Sequence, residues 1–161
     1  MNLSAAELTK QLKNPLKPLY IIYGDEPLLV QEAADNVRQA ARQQGYSDRE
    51  IYYPERGIAW DEIMASANNL SLFGDRKVIE LRFTNKPDTS ATAILEKYAA
   101  DPAPDTLLLL LLPKLDKTQQ KAKWFIACDK VGVSIDIPLV DNASFPDWLS
   151  SRLIQAGLSG D

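Results

Sequence analysis

The residues best placed to do chemistry lie between the first apolar run and the first long amphipathic pattern: Gly24-Asp25-Glu26-Pro27, leading into Leu28-Leu29-Val30. A turn that carries a strand into a helix is the default seat for a phosphate. The helix N-terminus offers free N–H groups and the positive end of the helix dipole. A phosphate cradle also needs successive backbone donors, glycines for close approach and, as a rule, a lysine followed by Ser or Thr. Here Pro27 removes one donor, Asp25 and Glu26 place two carboxylates where phosphate charge would lie, and no Lys, Ser or Thr follows. Like charges about 4 Å apart repel by roughly 1 kcal/mol even in water. Asp25 is therefore expected to be the helix N-cap, with Asp25 and Glu26 as partners of the dipole.

The remaining reactive groups point to less. Thr84-Asn85 stands where a nucleotide hydrolase would carry acidic, magnesium-holding residues after its third strand. Asp61-Glu62 falls in the first turn of a helix and reads as dipole compensation. Lys114, Lys117, Lys121 and Lys123 form a basic cluster, which reads as a solvated face with phosphate contact as its alternative. Cys128 is the single cysteine in a chain with no histidine to activate it, and is expected to be a small buried hydrophobe. Tyr20, Tyr52, Tyr53, Trp124 and Phe125 read as core aromatics rather than a stacking platform. No paired carboxylates, metal-ligand spacing or nucleophile arrangement is visible, so no catalytic residue, cofactor or metal is expected.

Composition narrows the class. The 161 residues are 45% hydrophobic and 25% charged, with a formal net charge of −4, which fits one main globular domain and argues against a basic nucleic-acid module. The N-terminus lacks a basic stretch followed by an apolar one, and the longest apolar run, Leu107 to Leu112, is six residues, where a membrane span needs roughly twenty. A soluble cytoplasmic protein with no membrane partner is expected.

Ser4-Ala5-Ala6-Glu7 reads as a capping box, with Leu3 and Leu8 as the hydrophobic staple of a helix ending near Lys13. Leu19 to Tyr23 reads as a buried strand. The helix after it, with Pro27 at its first position, carries Val30, Ala33, Ala34, Val37, Ala40 and Ala41 at helical spacing and stops at Gly45. Ile51-Tyr52-Tyr53 is a second strand, Ala59 to Asn69 a helix, Lys77 to Phe83 a third strand and Ala91 to Tyr98 a short helix. The continuous Leu107 to Leu112 run predicts a central parallel strand covered on both faces. Thr118 to Lys130 reads as one helix and Val131 to Ile137 as the fifth strand. Five strands alternating with helices predict an α/β domain, a parallel sheet flanked by helices, over residues 1–140. Residues 141–161, with Trp148, Leu149, Leu153 and Ile154 on one side of a helix, read as the start of a truncated helical second domain.

One turn departs from ordinary turn chemistry. Leu70-Ser71-Leu72-Phe73-Gly74-Asp75 joins the helix bearing Trp60, Ile63, Met64 and Ala67 to the third strand, and puts a Leu-Phe pair where most chains are polar. Such a pair either folds back into the core or is held out for a partner. Turn chemistry alone favours the core.

Taken in order, Tyr20-Ile21-Ile22-Tyr23-Gly24 with Asp25 to Glu32, the Leu70 to Lys77 turn, and Leu107 to Leu112 running to Lys114-Leu115 and Trp124-Phe125 resemble the delta subunit family of bacterial DNA polymerase III, a clamp-loader component. The resemblance covers nearly the whole chain and implies an AAA+-like domain whose nucleotide site, Gly24, Asp25, Glu26 and Pro27, is degenerate. It implies no catalysis by this chain, which would serve as an accessory subunit of a DNA-directed DNA polymerase. It further implies that Leu70, Ser71, Leu72, Phe73 and Gly74 bind the sliding clamp (the beta subunit), reversing the core preference for Leu72 and Phe73, and that the ring is opened for loading onto primed DNA. Other clamp-loader subunits (gamma/tau and delta prime) are implied partners of the full-length protein, with DNA only an indirect one. The rival reading is a nucleotide-binding α/β ATPase with an atypical phosphate loop, and a third is direct DNA binding through Lys114 to Lys123.

Overall fold

The structure, a computed structural model, describes residues 1–54, 60–68, 76–103 and 105–137. Six strands, β1 (Asn2–Leu3), β2 (Leu19–Gly24), β3 (Tyr46–Tyr52), β4 (Arg76–Arg82), β5 (Thr106–Leu112) and β6 (Val133–Ile137), form one sheet in the order β1-β6-β2-β5-β4-β3. Every pairing is parallel. Parallel neighbours need crossovers, and α1 (Ala5–Gln11), α2 (Pro27–Gln43), α3 (Trp60–Asn68), α4 (Thr89–Ala100), α5 (Lys117–Gln120) and α6 (Lys123–Val131) supply them.

The all-leucine run settles into the middle of the sheet for a physical reason. Leu107, Leu109 and Leu111 point into a core shared with α1 and α2, and Leu108, Leu110 and Leu112 into one shared with α3, α4 and α6. Only a strand with helices on both faces can bury every one of its side chains, and all seven residues of β5 are buried. On the α2 face the small residues Ala33, Ala34, Ala40 and Ala41 bring the helix close to the sheet. The helix ends as its glycine requires, with Gly45 at φ +97°.

Three expectations are corrected in detail. The sheet has a sixth strand, β1, whose two residues pair with Ser134 and Ile135; two residues are too few to carry a periodic signal. They are held by the chain's amino group, which donates to the Gly132 carbonyl at 3.0 Å and pairs with Asp129 Oδ1 at 2.8 Å. The second strand starts at Tyr46 rather than Ile51, because β3 is a sheet edge whose Ser47, Asp48 and Arg49 can face water. The expected Thr118 to Lys130 helix is two helices, broken where Ala122 is extended at ψ 150°. No residue of α5 is buried, whereas Trp124, Phe125 and Cys128 turn α6 into the core. The Ser4–Glu7 capping box forms reciprocally, at 3.1 and 3.2 Å. Residues 141–161, read as the start of a second domain, lie outside the described residues.

Candidate functional site

In a parallel sheet with helices on both faces, a ligand belongs at the carboxyl ends of the strands, where helix N-termini point. There Gly24 ends β2, Arg82-Phe83-Thr84 ends β4 and Leu111-Leu112-Pro113 ends β5. Together with Pro27, Val30 and Gln31 of α2 they line a cleft of about 320 Å³. This is the seat a phosphate would take, and its local chemistry is occupied from within the chain. Glu26 is the N-cap and its carboxylate accepts from the Leu28 N–H at 3.3 Å, while Pro27 has no N–H to give. The Asp25 carboxylate instead accepts from the Lys114 N–H at 3.0 Å, tying the β2–α2 turn to the segment after β5.

The cap is thus Glu26, not Asp25. Proline at the first helical position bars the residue before it from helical backbone, so the cap must fall on Glu26, which is extended at φ −93°, ψ 98°. Gly24 also has a different purpose from a phosphate-loop glycine. A Cβ on it would lie 2.6 Å from the Ile137 carbonyl oxygen and 2.7 Å from the Ile137 Cβ, so its missing side chain admits the neighbouring strand β6.

The other sequence candidates are scattered. Lys114, Lys117, Lys121 and Lys123 are all exposed, as a solvated face requires, and so are Asp61 and Glu62 at the start of α3 and Thr84 and Asn85 after β4. Cys128 is buried with its thiol 3.8 Å from the Leu95 carbonyl. Burial pushes that thiol up to about 12, with the nearby Asp129 and Glu96 charges adding to the effect. Tyr20 is fully buried and donates to Gln11 Oε1 at 2.8 Å, and Phe125 packs edge-on against both Tyr23 and Trp124. Tyr52 is half-buried and Tyr53 exposed.

Leu70, Ser71, Leu72, Phe73 and Gly74 lie outside the described residues, but the elements on either side of them are fixed. Before them, α3 lays Ile63 and Ala67 into the core, stacks Trp60 on Phe83 at 6.5 Å, and has its Ala67 carbonyl held by Thr106 Oγ1 at 2.9 Å. After them, Lys77 N–H donates to the Asp105 carbonyl at 3.1 Å and Arg76 pairs with the Asp105 carboxylate at 3.3 Å. The two flanks of the 69–75 segment are therefore anchored to adjacent residues at the start of β5, Thr106 on one side and Asp105 on the other.

The sequence reading missed one feature altogether. Glu80, in the middle of β4 and 0% exposed, receives two hydrogen bonds from Arg38 of α2, at 2.7 and 2.8 Å, and another from Arg82. Arg38 is 8% exposed and also contacts Asp35. Burial alone would raise the Glu80 carboxyl, but the Arg38 and Arg82 hydrogen bonds and charges outweigh it and hold it below its ordinary value. A glutamate interrupting the apolar stripe Val78-Ile79-Leu81 and an arginine interrupting the alanine face of α2 are the only marks this pair leaves in the sequence.

The DNA polymerase III subunit delta of Escherichia coli (strain K12) is 30% identical over 156 residues, covering 96% of this chain and 46% of the relative. The solved structure of the Bacillus subtilis DNA clamp loader delta protein superposes with a TM-score of 0.73 at 22% identity, over 94% of this chain and 48% of that one. A gamma subunit-related protein of DNA polymerase III from Thermotoga maritima follows at 0.56 and 13%, over 97% and 53%. These two structures show the fold, the AAA+-like α/β arrangement that the sequence resemblance implies. The chain spans about half the length of the curated relatives it matches. The family model described as DNA polymerase III, delta subunit, matches residues 20–137, and this chain belongs to that family.

Proposed function

We propose that this protein is the clamp-binding part of a clamp loader, which grips the sliding clamp through Leu72 and Phe73 and holds its ring open for loading onto DNA, without hydrolysing nucleotide itself. The observation that carries this reading is the cleft at the carboxyl ends of the strands. Its helix N-terminus is capped by Glu26, stripped of a donor by Pro27 and flanked by Asp25. A domain built like a nucleotide binder but unsuited to phosphate fits a binding role, and membership of the delta-subunit family supports the sliding clamp as the partner.

The energetics fit a docking pair supported by neighbours. Burying one Leu and one Phe is worth roughly 3 to 6 kcal/mol. Association costs an estimated 4 to 15 kcal/mol, so the pair anchors the complex and α3 and the rim around it must contribute. Opening the ring requires that part of the contact be available only on the open form, because a binder shifts an equilibrium only by its differential affinity. ATP binding by sister subunits would then control exposure of the turn. In the full-length protein those sisters are the gamma/tau and delta prime subunits, residues 141–161 begin a second helical domain, and the complex works in the cytoplasm.

The test titrates magnesium-ATP into the full-length protein by calorimetry up to about 1 mM, then measures binding to the purified sliding clamp with no nucleotide present. The expected result is clamp binding and no ATP binding heat. Micromolar ATP binding would favour the ATPase reading instead.

A further inference from the structure

A second cleft, of about 240 Å³, opens at the opposite end of the sheet, where α2 ends and β3 begins. It is lined by Arg38, Arg42, Tyr46, Ser47, Asp48, Arg49 and Val78. Val78 in this cleft and Arg82 in the one at the carboxyl ends stand four apart on β4, about 13 Å along the strand. Arg49 is the register partner of Val78, and the side chains of both belong to the α2 face. Arg38 is committed to Glu80, but Arg42 and Arg49 are exposed and make no ion pair among the described residues. A third guanidinium, that of Arg76, lies over the Tyr46 ring at 5.7 Å.

The position of this cleft gives it meaning. Tyr46 is the register partner of Arg76, and Arg76 follows Asp75 directly in the chain. The arginine cleft therefore adjoins the place where the Leu70–Asp75 segment enters β4, one strand spacing away. We infer that Arg42 and Arg49, with Ser47 beside them, form a basic rim that receives one or two carboxylates of the same protein that takes up Leu72 and Phe73. This rests on the docking reading above. Guanidinium groups pair with carboxylates in a planar, two-pronged fashion, and a serine hydroxyl supplies a further donor. Two uncommitted arginines beside an exposed Asp48 suit a small acidic feature on a protein better than a nucleic-acid backbone, which is met by about 6 to 10 phosphate contacts. Rim charges of this kind act on encounter, so their contribution falls on the association rate and fades with salt.

The test follows binding of the full-length protein to the purified sliding clamp by surface plasmon resonance, at about 50 mM and about 500 mM salt. The variants are Arg42→Ala/Arg49→Ala, Arg42→Lys/Arg49→Lys and Leu72→Ala/Phe73→Ala. The alanine pair is expected to slow association about fivefold at the lower salt and less than about twofold at the higher, with dissociation little changed. The lysine pair keeps the charge and restores most of the association rate. A parental association rate for the alanine pair, with Leu72→Ala/Phe73→Ala still losing binding, overturns the rim and leaves the docking reading standing. Parental binding by Leu72→Ala/Phe73→Ala overturns both. If the alanine pair leaves the clamp unaffected but weakens binding to a duplex of about 20 base pairs, the cleft belongs to nucleic acid and the rim is again overturned.

Discussion

Replacing Glu80 by leucine tests whether the buried pair holds α2 to the sheet. The side chain is 0% exposed, and its loss strands Arg38, which is 8% exposed, with no carboxylate on the strand to meet it. Breaking a buried pair from one side costs about 3 to 5 kcal/mol. The lower end applies here, because Arg38 keeps its contact with Asp35 and Arg82, partly exposed, can turn to solvent. A loss of about 3 kcal/mol lowers the urea midpoint by roughly 1 to 2 M for a domain of this size. Removing both charges with Arg38→Met/Glu80→Leu should bring stability back to within about 1 kcal/mol of the parent, since a matched apolar pair has no stranded charge. The pH dependence has a definite sign. Because the Glu80 carboxyl is held below its ordinary 4.5, its contribution is complete above that value and is lost as pH falls through the folded one. The parent's stability relative to the double variant should therefore fall on acidification below about 4.5. Urea melts followed by far-UV circular dichroism at pH 7 and at low pH read both effects. A loss under about 1 kcal/mol for Glu80→Leu would refute the account of this pair.

The other predictions concern the core and the degenerate turn. Gly24→Ala would drive a Cβ to 2.6 Å from the Ile137 carbonyl oxygen; it should cost about 1 to 3 kcal/mol in a denaturant melt, and a neutral result would mean that β6 does not pass so close. Gly132→Ala is expected to cost more, because its Cβ would meet the Leu19 carbonyl oxygen at 2.0 Å. Cys128, pushed up to about 12 and buried, should react with a thiol reagent at neutral pH only as fast as the protein unfolds; labelling at the rate of a free cysteine in native buffer would contradict its burial. Leu109→Ala, at a fully buried position in the central strand, should lower stability by about 2 to 5 kcal/mol, read by the same melt.

What the sequence made legible was what periodicity and turn chemistry encode. The continuous Leu107 to Leu112 run suggested a strand covered on both faces, and Pro27 with Gly45 bracketed α2 within a residue of its observed ends. The residue types that argue against a phosphate seat were legible in the turn, although the capping role went to Glu26 because of Pro27's effect on its predecessor. What depends on pairing across the chain was not legible. Glu80 meets Arg38 from 42 positions away, and Asp25 meets Lys114 from 89. The β1 strand exists only because β6 offers it an edge, and the break between α5 and α6 follows from where the core lies rather than from any glycine or proline. The candidate docking residues, Leu70 to Gly74, were read from an apolar pair in a turn and from the family resemblance. The structure adds the anchoring of their two flanks at Asp105 and Thr106.

The most direct measurement of the central claim is the affinity of the full-length Leu72→Ala/Phe73→Ala variant for the purified sliding clamp, beside an unaltered melting curve that certifies the fold. Losing two buried anchors predicts weakening of at least about a hundredfold, corresponding to roughly 3 kcal/mol or more. A folded double variant that binds within about threefold of the parent, under roughly 1 kcal/mol, would contradict it.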